Sequence, residues 1–317
     1  MVAAATKEAD AIGKPLAEYV GAANGPGPVI ADDLSAVLAA EPQVVVYATG
    51  SFLEQTRDDI VAIAERGIDV VSPCEELAFP FNRFPDDAAR IDAAAKAAGA
   101  TVLGTGVNPG FIFDTLLAAA TGACWDVRSI RGRRVVDVVD FGENIHLRLG
   151  IGYTLGEFER GHADGSIAGH VGFPESIEMV CERLGLALDG PVEERFEPLV
   201  AETPAPTLYG EVPAGKTEGF VQRATGTVGG KALVEFELVL HLRPAAAGME
   251  STDSFAIDGI HPVNLTLSPG MDAIPATSAV LVNSLPVVVR AESGLKSVKD
   301  LPTAGAWLGP STAGSLR

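Results

Sequence analysis

Residues 44–77 read VVVYATGSFLEQTRDDIVAIAERGIDVVSPCEEL, and this stretch decides the fold. VVVYATG (44–50) and IDVVSP (68–73) are apolar throughout, as strands buried on both faces must be. Between them, Glu54 to Arg66 carries apolar residues at helical spacing and stops at Gly67. The same grammar continues: a helix over Pro85 to Ala98 ends before Gly99, and TVLGTGVNPG (101–110) is a third strand with its loop. Strand, helix, strand in repetition predicts βαβ units and a doubly wound parallel sheet.

Working backwards, Met1-Val2-Ala3-Ala4-Ala5-Thr6 reads as the middle of a buried strand entered without a run-up. Working forwards, the pattern changes after about residue 120 to longer alternating strands: 129–141, 218–228 and 231–244. These predict an open, mostly antiparallel sheet, its last pair turning through Gly229-Gly230. A helix is expected from Pro174 to Leu184 across one face, another from Met271 to Leu285, and a separate short element at Pro286 to Arg290. GPSTAGSLR at the C-terminus reads as a loose tail. The expected division is a dinucleotide-binding domain at 1–119, a substrate and dimerisation domain at 120–270, and a segment at 271–317 returning to the first domain.

The 317 residues hold 23 Lys+Arg against 42 Asp+Glu, a formal charge of −19. That excludes an electrostatic grip on nucleic acid or an anionic membrane as a main role. No apolar run reaches the roughly 18 residues of a membrane span. Cys74, Cys124 and Cys181 have no CxxC spacing, so a reducing, cytoplasmic setting is expected. The five histidines, 146, 162, 170, 241 and 261, form no metal-binding pair at helical spacing, so no metal is expected.

Ligands of an open parallel sheet collect at the carboxyl ends of its strands. The first such end, Ala48-Thr49-Gly50-Ser51, is small enough for close approach and precedes a helix whose N–H groups suit a phosphate. An ordinary tight turn explains it equally. The second is Ser72-Pro73-Cys74-Glu75-Glu76-Leu77, two adjacent carboxylates where a strand emerges. One of them can exchange a proton or hold an ammonium ion; a helix-initiating acidic pair is the plainer reading. The third, Gly104 to Phe111, is a rigid Gly/Pro turn with Phe111 as an apolar wall. Cys74 and Asn108, in the second and third of these segments, join the cofactor-contact candidates. His162 and His170 sit in GHADGSIAGHVGFPES (161–176), read as a mobile loop over a pocket.

Five segments in order, VVVYATGSF (44–52), VVSPCEEL (70–77), GTGVNPGF (104–111), ATSAVLVNSLP (276–286) and GLKSVKDLP (294–302), resemble the 2,4-diaminopentanoate dehydrogenase family. That family includes the native amine dehydrogenases and groups with dihydrodipicolinate-reductase-like oxidoreductases. The resemblance implies a Rossmann domain, a second open sheet carrying the homodimer interface, and NAD(P)-dependent interconversion of an amine with a carbonyl and ammonia. It implies Glu75 as the catalytic carboxylate, where related homoserine dehydrogenases carry a lysine, with Glu76 as the alternative. Phe111, Ile112, His170 and Thr277 become pocket lining, and Asn283 stands beside the cofactor. A full member is expected to begin with a strand and a Gly-x-Gly-x-x-Gly turn. Here the first glycine is Gly13, so roughly 25 residues, the size of a strand and turn, are expected to be missing. The chain then reads either as a fragment with a misassigned start or as one with impaired cofactor binding. The remaining cofactor cue is Ala5-Thr6-Lys7-Glu8, where Thr6 and Lys7 favour the 2′-phosphate of NADP and Glu8 keeps NAD possible. The competing expectations are an ammonia-independent reductase of the homoserine dehydrogenase or dihydrodipicolinate reductase kind, and a truncated non-catalytic protein.

Overall fold

The computed structural model describes residues 1–22 and 25–306; the GPSTAGSLR tail lies outside the described residues. The chain packs as two compact units, one built from residues 1–104 and the chain from 281 onward, the other from 105–280.

In the first unit, β1 (Ala4–Ala5) is followed by α1 (Leu16–Tyr19), β2 (Ile30–Ala31) and α2 (Leu34–Ala39). The α2 helix is capped by Asp33, whose carboxylate accepts from the N–H groups of Ser35 and Ala36. Contrary to the expectation of a buried strand at the start, β1 has two residues, pairs only with β2, and leaves Met1 and Val2 exposed. With a single hydrogen-bonded neighbour, its small residues are only partly covered, Ala4 half-buried and Ala5 exposed.

Next come β3 (Val44–Val46), α3 (Leu53–Ala64), β4 (Asp69–Ser72), α4 (Pro85–Ala98) and β5 (Thr101–Gly104). The sheet order is Gly294–Lys296, β5, β4, β3, all parallel. Parallel neighbours need a crossover, and α3 and α4 supply it. Pro85 begins α4 and Gly99, at φ 77°, ends it in the left-handed region where glycine is unstrained. Val70, Val71 and Val102 are completely buried, as the apolar runs require.

The second unit begins with a loop, a π-helix at Phe111–Leu116 and α5 (Leu117–Thr121). The sequence grammar changes near 120, whereas the packing changes at 104/105. The reason is aromatic: Phe113 stacks on Phe236 at 4.4 Å and meets Phe173 at 6.2 Å, so 105–119 is anchored on the second sheet. Then follow β6 (Ser129–Asp137), α6 (Glu143–Arg148), α7 (Leu155–Asp164), α8 (Phe173–Arg183) and β7 (Glu193–Val200). The strands β8 (Ala205–Thr207) and β9 (Gly210–Val212) form a small hairpin. After them come β10 (Thr217–Val228), β11 (Lys231–His241), β12 (Asp253–Asp258) and β13 (Val263–Leu267).

The large sheet runs β13-β12-β6-β11-β10-β7, antiparallel except for the β6–β11 pair. Gly229 and Gly230 turn the β10–β11 hairpin at positive φ, their N–H groups bonded to the Asp189 carboxylate at 2.9 and 2.7 Å. Two expectations are corrected. GHADGSIAGHVGFPES is not one loop, because its first residues finish α7 and its last begin α8. Pro286 does not start a separate element but lies inside α9 (Ala273–Val288), and that helix continues across the division between the units.

At Gly104 the first unit has no room for a side chain. A Cβ there would lie 2.5 Å from the Leu77 carbonyl oxygen and 2.6 Å from the Ala78 nitrogen, both backbone atoms of the turn after β4. Gly104→Ala is expected to lower stability by about 1–3 kcal/mol, whereas Gly190→Ala, with nothing within 4 Å, leaves it nearly unchanged. Urea denaturation of the two variants checks this; equal midpoints would contradict the close approach.

Candidate active site

In the first unit the ends of β3 and β4 are knitted together. The Ser72 hydroxyl donates to the Tyr47 carbonyl at 2.6 Å, and the Cys74 N–H donates to Ser72 Oγ at 3.1 Å. The Ser51 carbonyl accepts from the Cys74 thiol and the Glu76 N–H, both at 3.3 Å. The Glu76 carboxylate, buried, accepts the Leu53 N–H at 2.7 Å. So the first N–H of α3, expected to receive a phosphate, is taken by the protein's own anion.

This bond separates the two carboxylates of CEEL. They open a single 3-10 turn, Glu75–Ala78, in which neighbouring side chains diverge by a third of a turn. Glu76 caps α3; its carboxyl is pushed up by burial and held back by the Leu53 N–H. Glu75 is only half-buried. Burial also pushes the Cys74 thiol up to about 11, so it stays protonated and is no nucleophile.

At the end of β1, Lys7 Nζ donates to the Asp32 carbonyl at 3.1 Å and Thr6 Oγ1 accepts the Glu8 N–H at 3.2 Å, all exposed. The Tyr19 hydroxyl donates to Glu8 at 3.0 Å. An exposed ammonium beside a hydroxyl suits a ribose or its 2′-phosphate. Ala48 and Thr49 expose the backbone at the end of β3, with Gly50 and Ser51 half-buried behind them.

In the second unit, the loop after β5 is held by a group the sequence reading missed. Asp114, completely enclosed, accepts the Gly110 N–H at 2.8 Å and the Ser176 hydroxyl at 2.9 Å. Thr277 Oγ1 accepts the Val107 N–H at 3.2 Å. Gly110 sits at φ 126°, and a Cβ on it would come within 2.5 Å of the Gly106 nitrogen. His170 Nε2 lies 3.1 Å from the Asn108 carbonyl and 3.2 Å from its amide nitrogen. Gln222, buried on β10, grips the His170 backbone from both sides, accepting its N–H at 3.0 Å and donating to its carbonyl at 2.9 Å. Arg134 and Asp253 form a buried ion pair at 2.7 Å that also bonds Met271, just before α9. The signal for these residues was a lone polar letter in an apolar run, as in FIFDTLL (111–117).

Asn108, His170 and Thr277 are thus brought to one loop, with Phe111 half-buried and Ile112 completely buried where the π-helix begins. Glu75, Cys74, Ala48 to Ser51, Thr6, Lys7 and Asn283 belong to the first unit. His162 packs on Phe196 at 4.2 Å, away from this loop's bonds. Among the described residues no group of three or more His, Cys, Asp or Glu is placed to hold a metal, and no helix is long and apolar enough to cross a membrane.

Burial pushes Asp114 up to about 6 and His170 down to about 4, the latter aided by the Arg134 charge. Between its ordinary value and 6 the native state holds the Asp114 proton, so that contribution to stability is lost as pH rises. For His170 the unfolded chain holds the extra proton, so its contribution is lost as pH falls from 6.5 towards 4. The two slopes oppose each other. Asp114→Asn is expected to unmask a rise of stability with pH and His170→Asn a fall, each of about 3 kcal/mol across that window. Urea melts from pH 4 to 7 check this, and parallel curves for all three proteins would contradict it.

Comparison with known proteins brings both units under one family. Residues 111–314 match the family model for the 2,4-diaminopentanoate dehydrogenase C-terminal domain. The 2,4-diaminopentanoate dehydrogenase of Acetoanaerobium sticklandii is 37% identical over 266 residues, 84% of this chain and 75% of the relative. The amine dehydrogenase of Streptomyces virginiae is 28% identical over 292 residues, 86% of this chain and 80% of that one. The fold matches the solved amine dehydrogenase from Mycobacterium smegmatis with a TM-score of 0.87, at 22% identity, over 97% of this chain and 90% of that one. The first of these relatives spans both the CEEL turn and the loop of Asn108, so the chain belongs as a whole to the 2,4-diaminopentanoate dehydrogenase family.

Proposed function

We propose that the protein is an NAD(P)-dependent amine dehydrogenase that converts an amine to a carbonyl and ammonia, and the reverse, with Glu75 as its catalytic carboxylate. The supporting observation is the division of labour in CEEL: Glu76 is spent on the Leu53 N–H, which leaves Glu75 as the half-exposed carboxylate at the strand end.

In the amination direction Glu75 takes a proton from ammonium, so that neutral ammonia attacks the carbonyl carbon. The protonated Glu75 returns its proton to the carbinolamine hydroxyl, which leaves as water, and the carboxylate so regenerated stabilises the positive iminium that remains. When bound, the nicotinamide supplies the hydride that completes the amine. Phe111 and Ile112 offer an apolar wall for the alkyl part, and Thr277 and Asp114 hold the loop that carries Asn108. Thr6, Lys7, Ala48 to Ser51, Cys74, Asn108 and Asn283 are the proposed cofactor contacts. Thr6 and Lys7 favour NADP over NAD through the Lys7 charge. A homodimer in a reducing, cytoplasmic compartment is part of the same reading, in keeping with three free cysteines.

Protein, NADPH and a small ketone or 4-oxo acid are expected to lose absorbance at 340 nm only when ammonium is added. Turnover without ammonium would favour the homoserine dehydrogenase or dihydrodipicolinate reductase kind of reaction, and failure of millimolar NADPH to bind would favour a non-catalytic protein. Glu75→Ala is expected to abolish turnover with the fold intact, whereas Glu76→Gln lowers the melting temperature first. Lys7→Ala raises KM for NADPH about tenfold, the loss of one charge-assisted bond, and leaves KM for NADH nearly unchanged.

A further inference from the structure

Among the buried polar atoms of the second unit without a hydrogen-bond partner among the described residues are His170 Nδ1, Asn108 Oδ1 and Thr105 Oγ1. Two of them belong to one bonded pair, and the polarity of that pair can be worked out. A backbone carbonyl only accepts, and the Asn108 carbonyl lies 3.1 Å from His170 Nε2. The ring must therefore present a proton there. Burial pushes His170 down to about 4, so at neutral pH the ring carries one proton and Nδ1 has none. Gln222 bonds the His170 backbone at both its N–H and its carbonyl, and turning the ring over would give up its bond to the Asn108 carbonyl.

The Asn108 amide follows. An Nε2–H facing the amide nitrogen at 3.2 Å sets donor against donor, so the amide turns its oxygen to the ring. Its NH2 then occupies the position that lacks a partner, on a side chain only 9% exposed. The site presents a bare acceptor, His170 Nδ1, and a buried amide donor.

We propose that His170 recognises the substrate's nitrogen: the Asn108 carbonyl fixes the proton on Nε2, and the bare Nδ1 accepts an N–H from the amino group. The inference rests on the amine dehydrogenase reading. An amine, a carbinolamine and an iminium each carry an N–H for this acceptor; a ketone does not, and a carbonyl oxygen set against Nδ1 is repelled. His170 therefore favours the nitrogen-bearing species along the reaction.

Nitrogen-15 NMR of the full chain labelled in its histidines tests this, with His170→Asn to assign the signals. At pH 7 the His170 ring is expected to carry its proton on Nε2. Its Nδ1 signal is expected to move towards the hydrogen-bonded range on addition of 2,4-diaminopentanoate and to stay put with the analogue in which a carbonyl replaces the 4-amino group. A proton on Nδ1 overturns the proposal, as does amine binding seen by calorimetry with no change at Nδ1, the result expected of an ordered water at that atom. An Nε2–H ring in a chain that binds no amine instead overturns the amine dehydrogenase reading and removes the recognition role with it. Kinetics separate recognition from structure. His170→Asn, whose side-chain oxygen reaches the Nδ1 position, is expected to keep KM for the amine within about threefold. His170→Gln, which supplies only the Nε2 position, raises it about tenfold with little change in kcat. A fall in kcat with KM unchanged in both variants contradicts the assignment.

Discussion

The Leu53 N–H bonded to the Glu76 carboxylate is the contact on which the strand ends of the first unit depend. It ties the turn after β3 to the turn after β4, and the second turn lies directly over Gly104 at the end of β5. Three strand ends are therefore held by one buried anion and one missing side chain. A buried carboxylate is tolerated only where it is hydrogen-bonded. The helix N-terminus supplies that bond, so the Glu76 carboxylate is held in place by the same interaction that stabilises α3.

The second unit repeats the device with different atoms. Asp114 is buried and bonded to Gly110 and Ser176, and it fixes the loop that carries Asn108. Gln222 does the same for the loop that carries His170. In each case a polar group spends its hydrogen-bonding capacity on backbone, which positions a neighbour rather than reacting itself. Asn108 and His170 keep one buried atom each without a hydrogen-bond partner among the described residues.

Much of this was legible in the sequence, for physical reasons. The valine-rich runs in VVVYATG and IDVVSP announced parallel strands, although β3 lies at the edge of the sheet with Val46 exposed, and Gly99 marked the end of α4 to the residue. That Glu76, not Glu75, bonds the Leu53 N–H was not legible, because the bond spans 23 residues of chain. The π-helix at 111–116 was hidden for a similar reason: residues 105–119 continue the βαβ grammar, while stacking of Phe113 on Phe236 attaches them to the second sheet. Local pattern reports what each segment prefers, and long-range aromatic packing decides where it goes. At the start, VAAAT matched a buried strand in composition, yet it pairs with two residues of β2 and nothing more.

Amine dehydrogenation makes or breaks a carbon–nitrogen bond while a hydride is exchanged. The most direct test runs the reaction in the oxidative direction, with 2,4-diaminopentanoate and NADP+, or NAD+ in parallel, and follows reduced cofactor and free ammonia together. One ammonia released for each cofactor reduced, with both lost in Glu75→Ala, is the expected result. Reduced cofactor formed with no ammonia would contradict it.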